Sequence, residues 1–277
     1  MSSARISPTA HYTGAVWLRH GLSDPAFATR EGRRLHRLLV PLNTGARVLG
    51  GPSIDGMLLA RHRLIDHLLM TAIERGEIGQ VIEVAAGLSP RGWRMSRRFR
   101  HVRYLEADLP AMAARKRALL GRAEAPGPRH RVVEIDAMAD AGPRSIDALT
   151  ADLDPSVGTA IITEGLVNYF PGDATIRMWR RFAAALRRFP RGLYLSDLTV
   201  AADARGLPTR LFRAALGAFV RGGVYLDFAD AAAARRELGV AGFAAGALHR
   251  PADFTAAIGA VEAAGASRVQ IIEATVG

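Results

Sequence analysis

The stretch VIEVAAGLSPRGWRM at residues 81–95, followed by RYLEADLP at residues 103–110, decides the fold of this chain. Val81–Ala86 is a short apolar run with one carboxylate, which is typical of a strand buried on both faces of a parallel sheet. The small residues Ala86 and Gly87 then allow a sharp turn and a close approach of a ligand to the backbone. A second apolar run, Val102–Ala107, ends in Asp108, close to the spacing of about 20 residues between a glycine turn and a ribose-binding carboxylate. This layout predicts a site for a cofactor that carries adenosine.

The turn departs from the nicotinamide-binding fingerprint, because Ala85, Leu88 and Pro90 stand where spaced glycines would be needed. Ala85 is expected to hold a negative φ, which would still let a ligand approach the backbone. From periodicity alone, an ordinary strand–turn–helix connection without a ligand explains the stretch equally well. The rest of the chain has to decide between the two.

The composition bounds the class of protein. The chain has 277 residues, 49% of them hydrophobic, and a mean hydropathy of +0.08, which indicates a globular protein. No apolar run is long enough to span a bilayer, and the first residues lack the apolar segment of a signal peptide. We therefore expect a cytoplasmic protein without a membrane partner. The absence of cysteine excludes disulfides, thiolate metal sites and cysteine nucleophiles, and no metal site is predicted.

The net charge of +11 brings nucleic acid into consideration as a partner. Lys116 is, however, the only lysine among 37 basic residues, and the arginines are spread along the chain. Such a skew, beside abundant alanine and glycine, is typical of GC-rich coding rather than of a surface selected for polyanions. We therefore expect an acidic small molecule, not nucleic acid, as the partner, since a positive field attracts small anions whatever its origin.

Strands and helices alternate along the chain, which predicts a doubly wound, mostly parallel α/β sheet of the Rossmann-like type. The strands are expected at Val81–Ala86, Val102–Ala107, Arg131–Ile135, Thr159–Thr163, Gly192–Leu198 and Val269–Val276. The helices are expected at Glu31–Leu42, Met57–Arg75, Pro110–Leu120, after a cap at Asp173, and at Pro208–Val220, Ala229–Leu238 and Pro251–Ala264. Residues 1–56 are predicted to form an N-terminal arm or lid, and residues 57–277 the main domain with a helical cap inserted near 200–227.

Four successive strands end in a turn or an acid, at Gly87, Asp108, Asp136 and Glu164. Ligands of such sheets bind beyond the carboxyl ends of the strands, so this convergence favours a cofactor site over a plain connection. Arg61 lies on the apolar stripe of the helix Met57–Arg75. A guanidinium turned inward there would require a carboxylate, although an arginine that extends from the edge of the stripe into solvent gives the same pattern.

Four motifs resemble, in order, those of the leucine carboxyl methyltransferase family: ARHRLID at 60–66, EVAAGLSPRGWR at 83–94, LEADLP at 105–110 and EGLVNYFP at 164–171. That family includes protein phosphatase and tRNA wybutosine methyltransferases and bacterial polyketide carboxyl methyltransferases of the tetracenomycin type. The resemblance implies the fold of a class I S-adenosylmethionine-dependent methyltransferase. Ala85 replaces the usual first glycine and Ser89-Pro90 the usual Asp-Thr pair. The second change bears on the substrate more than on the cofactor.

The resemblance also implies the roles of single residues at an S-adenosylmethionine site. Arg61 would pair with the methionine carboxylate, and the turn from Ala85 to Gly87 would lie against the amino-acid moiety. Asp108 would accept both ribose hydroxyls, because a carboxylate offers two acceptor oxygens. The Asp136 carboxylate and the Ala137 N–H would frame the adenine. Glu164 would hold the ammonium group, whereas Glu106 is expected to be structural.

The expected activity is O-methylation of a carboxylate on a small, natural-product-like metabolite. Such an acceptor has an unperturbed pKa of about 4, so it is already ionised and needs no general base. No catalytic residue is therefore predicted. The first alternative is a hydroxyl acceptor, which would require a base such as histidine. The second is an RNA-modifying methyltransferase or an RNA-binding protein.

Several further side chains are candidates for contact with the methyl acceptor. Asn168 and Tyr169 are expected to face it, although Tyr169 filling the strand–helix junction explains the pattern as well. The histidines in lid or helix segments lack a spacing that marks one of them as a base: His20, His36, His62 and His249. The arginines at 205, 210, 213 and 221 lie in the predicted cap, where they bind an acidic acceptor or form a solvated helix face.

Overall fold

The computed structural model describes residues 8–204 and 223–277. Within these residues seven strands form one sheet in the order β3-β2-β1-β4-β5-β7-β6. The strands are β1 (Gln80–Val84), β2 (Arg103–Asp108), β3 (His130–Glu134), β4 (Thr159–Thr163), β5 (Gly192–Leu198), β6 (Ala245–His249) and β7 (Gln270–Thr275). The first five run parallel, β7 pairs with β5 in the antiparallel direction, and β6 pairs antiparallel with β7 at the edge of the sheet. The predicted doubly wound, mostly parallel α/β fold is confirmed.

Helices cover both faces of the sheet and precede its first strand. They are α1 (Pro8–Arg19), α2 (Arg30–Val48), α3 (Ile54–Glu74), α4 (Arg91–Arg98), α5 (Pro110–Leu120), α6 (Ile146–Ala151), α7 (Gly172–Leu186), α8 (Ala231–Ala241), α9 (Thr255–Ile258) and α10 (Ala263–Ala266). None of the described helices combines the length and the hydropathy that crossing a bilayer requires.

The core consists of two layers, one on each face of the sheet. Neighbouring residues of one strand serve opposite layers: Val81 packs with Leu64 of α3, and Ile82 packs in the cluster that contains Phe182 of α7. Successive side chains of a strand point to opposite faces, so a strand covered on both faces is apolar at most of its positions. This requirement explains the apolar run by which β1 was predicted, and Glu83, the one carboxylate of the run, is paired with Arg91.

Several elements differ from their predictions. The strand β6 was not predicted, because AGALH carries little intrinsic strand preference and forms its ladder through β7. The predicted helix Pro251–Ala264 is instead broken into short helices around Gly259, whose φ is +75°. Asp173 is not a helix cap: it lies in the first turn of α7 and pairs with Arg177 at 2.7 Å. The predicted helix Pro208–Val220, and with it most of the predicted cap near 200–227, lies outside the described residues.

The helices before β1 share an apolar cluster with α3. Tyr12, Val16 and Trp17 of α1 pack with Ile54 and Leu58 of α3. A buried polar contact supports the same junction, because the Tyr12 hydroxyl donates to Asp55 Oδ1 at 2.5 Å. The N-terminal helices are thus packed on the sheet domain through α3.

Candidate functional site

The parallel register brings the carboxyl ends of the strands to one edge of the sheet. Val84 of β1 is paired with Ala107 of β2 and with Thr163 of β4, and Asp108 is paired with Glu134 of β3. The residues that follow these strands therefore lie along one edge of the sheet, which is where open α/β sheets have their ligand crevice.

The acid at the end of β2 is bonded directly to the turn that follows β1. Asp108 Oδ2 accepts a hydrogen bond from the Gly87 N–H at 2.7 Å, and Oδ1 accepts one from the Leu109 N–H at 2.8 Å. Burial raises the pKa of Asp108, although the two backbone bonds oppose the shift. Each carboxylate oxygen has two lone pairs, so both can still accept from a ligand hydroxyl.

The turn after β1 contains two residues in the left-handed conformation, Ala85 with φ +54° and Gly87 with φ +53°. The expectation of a negative φ at Ala85 was wrong. The chain bends there so that the Ala86 N–H reaches the Ala107 carbonyl at 3.3 Å and the Ser89 N–H reaches the Ala86 carbonyl at 2.9 Å. A left-handed alanine costs about 1–2 kcal/mol, which the surrounding bonds offset. The alanine therefore keeps the turn that a glycine would form.

The loop after β3 lies beside Asp108. The Ile135 N–H donates to the Asp108 carbonyl at 2.9 Å, and Asp136 Oδ1 accepts from the Met138 N–H at 2.9 Å. The Ala137 carbonyl accepts from Arg181 at 3.1 Å, whereas the Ala137 N–H bonds to none of the residues that the structure describes. One carboxylate and one available N–H therefore lie on neighbouring residues, and their expected contact with adenine stays a prediction.

Arg61 of α3 lies at the ends of β4 and β5, between two carboxylates. Its Nε donates to Glu164 at 3.0 Å and its Nη1 to Asp197 at 2.9 Å. Arg61 thus faces inward and is ion-paired, as one of the two interpretations of its position expected, although part of its side chain remains exposed. Its Nη2 has no hydrogen bond to a described residue and lies against Gly165, where a Cβ would come within 3.0 Å of it. This nitrogen is the one that a ligand carboxylate would meet.

Asp197 was missed in the sequence. It lies on β5, where Thr163 is paired with Ser196, so that Asp197 stands beside Glu164. Its second oxygen accepts from the Gly165 N–H at 2.6 Å, which holds the glycine loop over the end of β5. An acid within the buried run of the fifth strand was the signal that could have identified it.

Arg91, for which the sequence predicted no role, is the centre of a buried charged cluster. It is fully buried and donates to Asp66 at 2.6 Å, Glu83 at 2.8 Å and Glu164 at 2.6 Å. Burial alone would lower its pKa, but the three carboxylates raise it well above the ordinary value. The guanidinium, with five donors in a planar fork, is suited to serve three acceptors at once.

Glu164 belongs to this cluster. Its oxygens accept from Arg61 and Arg91 and contact His62 Nδ1 at 2.8 Å. Burial alone would raise its pKa, but His62 and Arg91 lower it well below the ordinary value. Glu164 is therefore an ionised anchor for Arg61, and its expected contact with an ammonium group stays a prediction.

Glu106 has the structural role expected of it. It pairs with Lys116 at 2.8 Å and with His130 at 2.9 Å, all three side chains being buried. Lys116 also donates to the Ser89 carbonyl, so the only lysine of the chain holds the segment that follows the turn after β1.

A cavity of about 110 Å³ opens beside Arg61 and Asp197. Helices α1 and α3, the loop after β4 and the end of β5 form its walls. Its apolar lining includes Ile54, Met57, Leu58, Leu166 and Val269. Its hydroxyl groups belong to Thr9, Tyr12, Thr13, Tyr169 and Thr199. Among the described residues that line it there is no histidine.

The two expected acceptor residues both line this cavity, with different contacts. Both N–H donors of the Asn168 amide are used, by the Thr199 and Tyr225 carbonyls, and its oxygen accepts from the Thr199 N–H. The phenol of Tyr169 faces Arg61 and Thr9, and burial raises its pKa although both neighbours oppose the shift. The arginines at 205, 210, 213 and 221 lie outside the described residues.

Relatives in sequence point to one cofactor. A protein of Mycobacterium bovis (strain BCG / Pasteur 1173P2) is 28% identical over 60% of this chain and 48% of its own length. A second, from Mycolicibacterium vanbaalenii, is 37% identical over 47% of this chain and 41% of its own length. Both are provisionally named S-adenosyl-L-methionine-dependent methyltransferases. The chain thus spans about half the length of the curated relatives it matches.

Solved structures show the same fold at low identity. A DUF574 family protein from Streptomyces avermitilis superimposes with a TM-score of 0.65 at 15% identity, over 99% of this chain and all of that one. The magnesium protoporphyrin IX methyltransferase of Synechocystis, solved with bound S-adenosylhomocysteine, gives a TM-score of 0.51 at 13% identity, over 80% of this chain and 86% of that one.

The leucine carboxyl methyltransferase family model matches residues 26–183, more than half of the chain. The matched range contains Arg61, which is bonded to Glu164, and the residues at the carboxyl ends of neighbouring strands: the turn after β1, Asp108, Asp136 and Glu164. The expectation of S-adenosylmethionine as the cofactor is confirmed at the level of the family and its relatives. By this match and by its architecture, the chain belongs to the leucine carboxyl methyltransferase family.

Proposed function

We propose that the protein is an S-adenosylmethionine-dependent O-methyltransferase that methylates the carboxylate of a small, largely apolar metabolite. The observation that carries this proposal is the cavity beside Arg61 and Asp197, at the carboxyl ends of β4 and β5. It is apolar for most of its wall and includes the hydroxyls of Tyr169 and Thr199, which suits a compact acceptor with one polar end.

The residues present fit the cofactor. Arg61 Nη2 is available for the methionine carboxylate, with Glu164 and Asp197 fixing the guanidinium from two sides. Asp108 would accept from the ribose hydroxyls. Asp136 and the Ala137 N–H would meet the adenine edge as an acceptor and a donor. The turn from Ala85 to Gly87 would lie against the amino-acid moiety.

When bound, S-adenosylmethionine supplies a sulfonium methyl group: the carbon–sulfur bond breaks as the bond from carbon to the acceptor oxygen forms, and neutral S-adenosylhomocysteine is left. The residues of this chain align the reacting groups and exclude water from them. The apolar wall contributed by Met57, Leu58 and Leu166 performs the second task.

The lining supports a carboxylate acceptor because it contains no evident general base. Of the described residues that line the cavity, Asp197 is the one carboxylate, and both of its oxygens are bonded, to Arg61 and to the Gly165 N–H. A carboxylate is already ionised at neutral pH and needs no proton removed. The hydroxyls of Tyr169 and Thr199 would orient it by neutral hydrogen bonds, which leave its nucleophilicity largely intact.

A hydroxyl acceptor is the second candidate, and one observation favours it. Arg61 is the only cation among the described lining residues, and it is already paired with two carboxylates. No positive charge of the described wall is therefore left for an anionic acceptor.

The test is to incubate the protein with methyl-labelled S-adenosylmethionine and a panel of small carboxylic acids and alcohols, and then to treat the labelled product with base. A methyl ester hydrolyses and releases labelled methanol, whereas a methyl ether persists. A base-stable product would contradict the carboxylate proposal and support a hydroxyl acceptor. Labelling of RNA alone, lost steeply with added salt, would favour the RNA-modifying alternative.

A variant of the wall shows whether this cavity is the acceptor site. Met57→Trp fills the cavity, so we expect the KM for the acceptor to rise or turnover to stop while S-adenosylhomocysteine affinity stays the same. Met70→Trp on the same helix, away from the cavity, is the matched control. Unchanged acceptor kinetics in a folded Met57→Trp protein would place the acceptor elsewhere.

A further inference from the structure

Helix α2 carries one apolar stripe that is only partly covered. Leu35 and Leu39 pack on the cluster around Tyr12 and Trp17. Leu38 and Leu42 form the uncovered edge of the same stripe and are 68% and 40% exposed. They are four positions apart, so they lie one above the other along the helix, and Leu49, directly after the helix, is 87% exposed. Single exposed leucines are common, but an aligned stripe of them requires an explanation.

An arginine row runs beside this stripe. Arg30, Arg33, Arg34 and Arg37 are all exposed, and none of them forms a salt bridge with a residue of the described chain. Glu31, in the first turn, is the only acid of the helix. Together the leucine stripe and the arginine row are called the outer face of α2.

We propose that the outer face of α2 docks on the surface of an anionic lipid bilayer. A helix that presents leucines on one side and arginines beside them lies in the interface, with the leucines among the acyl chains and the guanidinium groups on headgroup phosphates. Each basic residue close to an anionic surface adds to the attraction. The earlier expectation of no membrane partner rested on the absence of a spanning segment and a leader, neither of which docking requires.

Two other occupants fit the outer face less well. A second copy packed by two-fold symmetry would bring two arginine rows together, and like charges at close range repel. A nucleic acid would match the arginines but would leave the leucine stripe in water. A bilayer with anionic headgroups satisfies both halves of the face.

Docking on this face would also place the candidate site near the bilayer. Helix α2 packs on α1, and α1 supplies Thr9, Tyr12 and Thr13 to the cavity wall. The docking proposal does not depend on the proposed methyl transfer, and it is tested without measuring activity.

The test is flotation of the full-length protein with vesicles of phosphatidylcholine alone or with about 30% phosphatidylglycerol. We expect binding to the anionic vesicles only, weakened when salt is raised from about 50 mM to about 300 mM. Leu38→Ser/Leu42→Ser and Arg34→Gln/Arg37→Gln should each weaken the binding about tenfold. Helix α8 provides the matched controls, because Val240→Ser and Arg235→Gln/Arg236→Gln alter equally exposed residues there and should leave the binding unchanged.

Three outcomes would overturn the proposal. Absence of binding to anionic vesicles is one. Equal losses in the α2 and α8 variants would show attraction by overall charge rather than by this face. The third outcome is a protein that does not bind vesicles but forms a dimer in light scattering. If Leu38→Ser/Leu42→Ser dissociates that dimer, the outer face binds a second copy. Circular dichroism of each variant verifies that it is folded.

Discussion

The Asp108 carboxylate would accept hydrogen bonds from the ribose hydroxyls most strongly while it is ionised. Burial raises its pKa, so its protonated form becomes populated at a higher pH than for an ordinary aspartate. We expect S-adenosylhomocysteine affinity to fall as the pH falls through that raised pKa. Isothermal titration across about pH 7 to about pH 4 measures it.

Substituting Asp108 isolates this effect. Asp108→Asn should weaken S-adenosylhomocysteine binding by about 1–3 kcal/mol at neutral pH and flatten the pH dependence. Glu134→Gln, which alters the exposed acid paired in register with Asp108, is the control and should keep the wild-type profile. The same fall in affinity with pH in the Asn variant would assign the titration to another group.

Ala85 is the other residue with a measurable conformational effect. Its φ of +54° is one that glycine adopts freely, so Ala85→Gly should raise the free energy of unfolding by up to about 1 kcal/mol. Urea denaturation gives the number. Ala86→Gly, at the next position without a positive φ, should destabilise the protein by about 0.5–1 kcal/mol. Loss of stability in both variants would mean that the turn gains nothing from glycine at position 85.

At the scale of elements, Arg91 connects three of them at the rear of the crevice. It joins Asp66 of α3, Glu83 of β1 and Glu164 at the end of β4, each by a hydrogen bond of 2.8 Å or less. Removing it would leave three carboxylates facing one another in the interior, where unpaired charge is costly. The position of Arg61, which depends on Glu164, would change as well.

Arg91→Met should therefore lower the free energy of unfolding by about 3–5 kcal/mol, measured by urea denaturation. Arg94 contacts the same Asp66 from a partly exposed position, so Arg94→Met should cost about 1 kcal/mol or less. Similar losses in the two variants would contradict a central role for Arg91.

At the scale of the whole molecule, the charged cluster sets the response to acid. Burial acts to raise the pKa of Asp66, but the interactions with His62, Arg91 and Arg94 prevail and lower it to about 2. A depressed folded-state pKa adds stability that is fully present above the unfolded-state value of about 4 and is lost as the pH falls through the folded value. The protein should thus lose stability between about pH 4 and about pH 2.

Asp66→Asn tests this. At neutral pH the variant should be less stable by about 2 kcal/mol, and the difference from wild type should close toward pH 2. Asp152→Asn, an exposed aspartate outside the cluster, should leave the acid profile unchanged. A difference between Asp66→Asn and wild type that persists in acid would mean that the lost stability comes from packing rather than from ionisation.

Much of the fold of the whole molecule, and part of the candidate site, could be predicted from the sequence. The five parallel strands and the site acids at the ends of β2 and β4 were predicted, since a strand buried on both faces has to be apolar and an acid just beyond it is a local signal. The strand β6 and the helix α1 were not, because packing against β7 and α3 stabilises them rather than their own periodicity.

The sequence by itself determined the parallel sheet, the crevice at its carboxyl edge and the family, because each depends on short runs whose period and order can be read along the chain. Only the tertiary structure decided the partners of Arg91, the place of Asp197 beside Glu164, the left-handed turn at Ala85 and the cavity under α1. The physical reason is distance along the chain: these features join residues tens of positions apart, and their free energy exists only after packing has removed water between them.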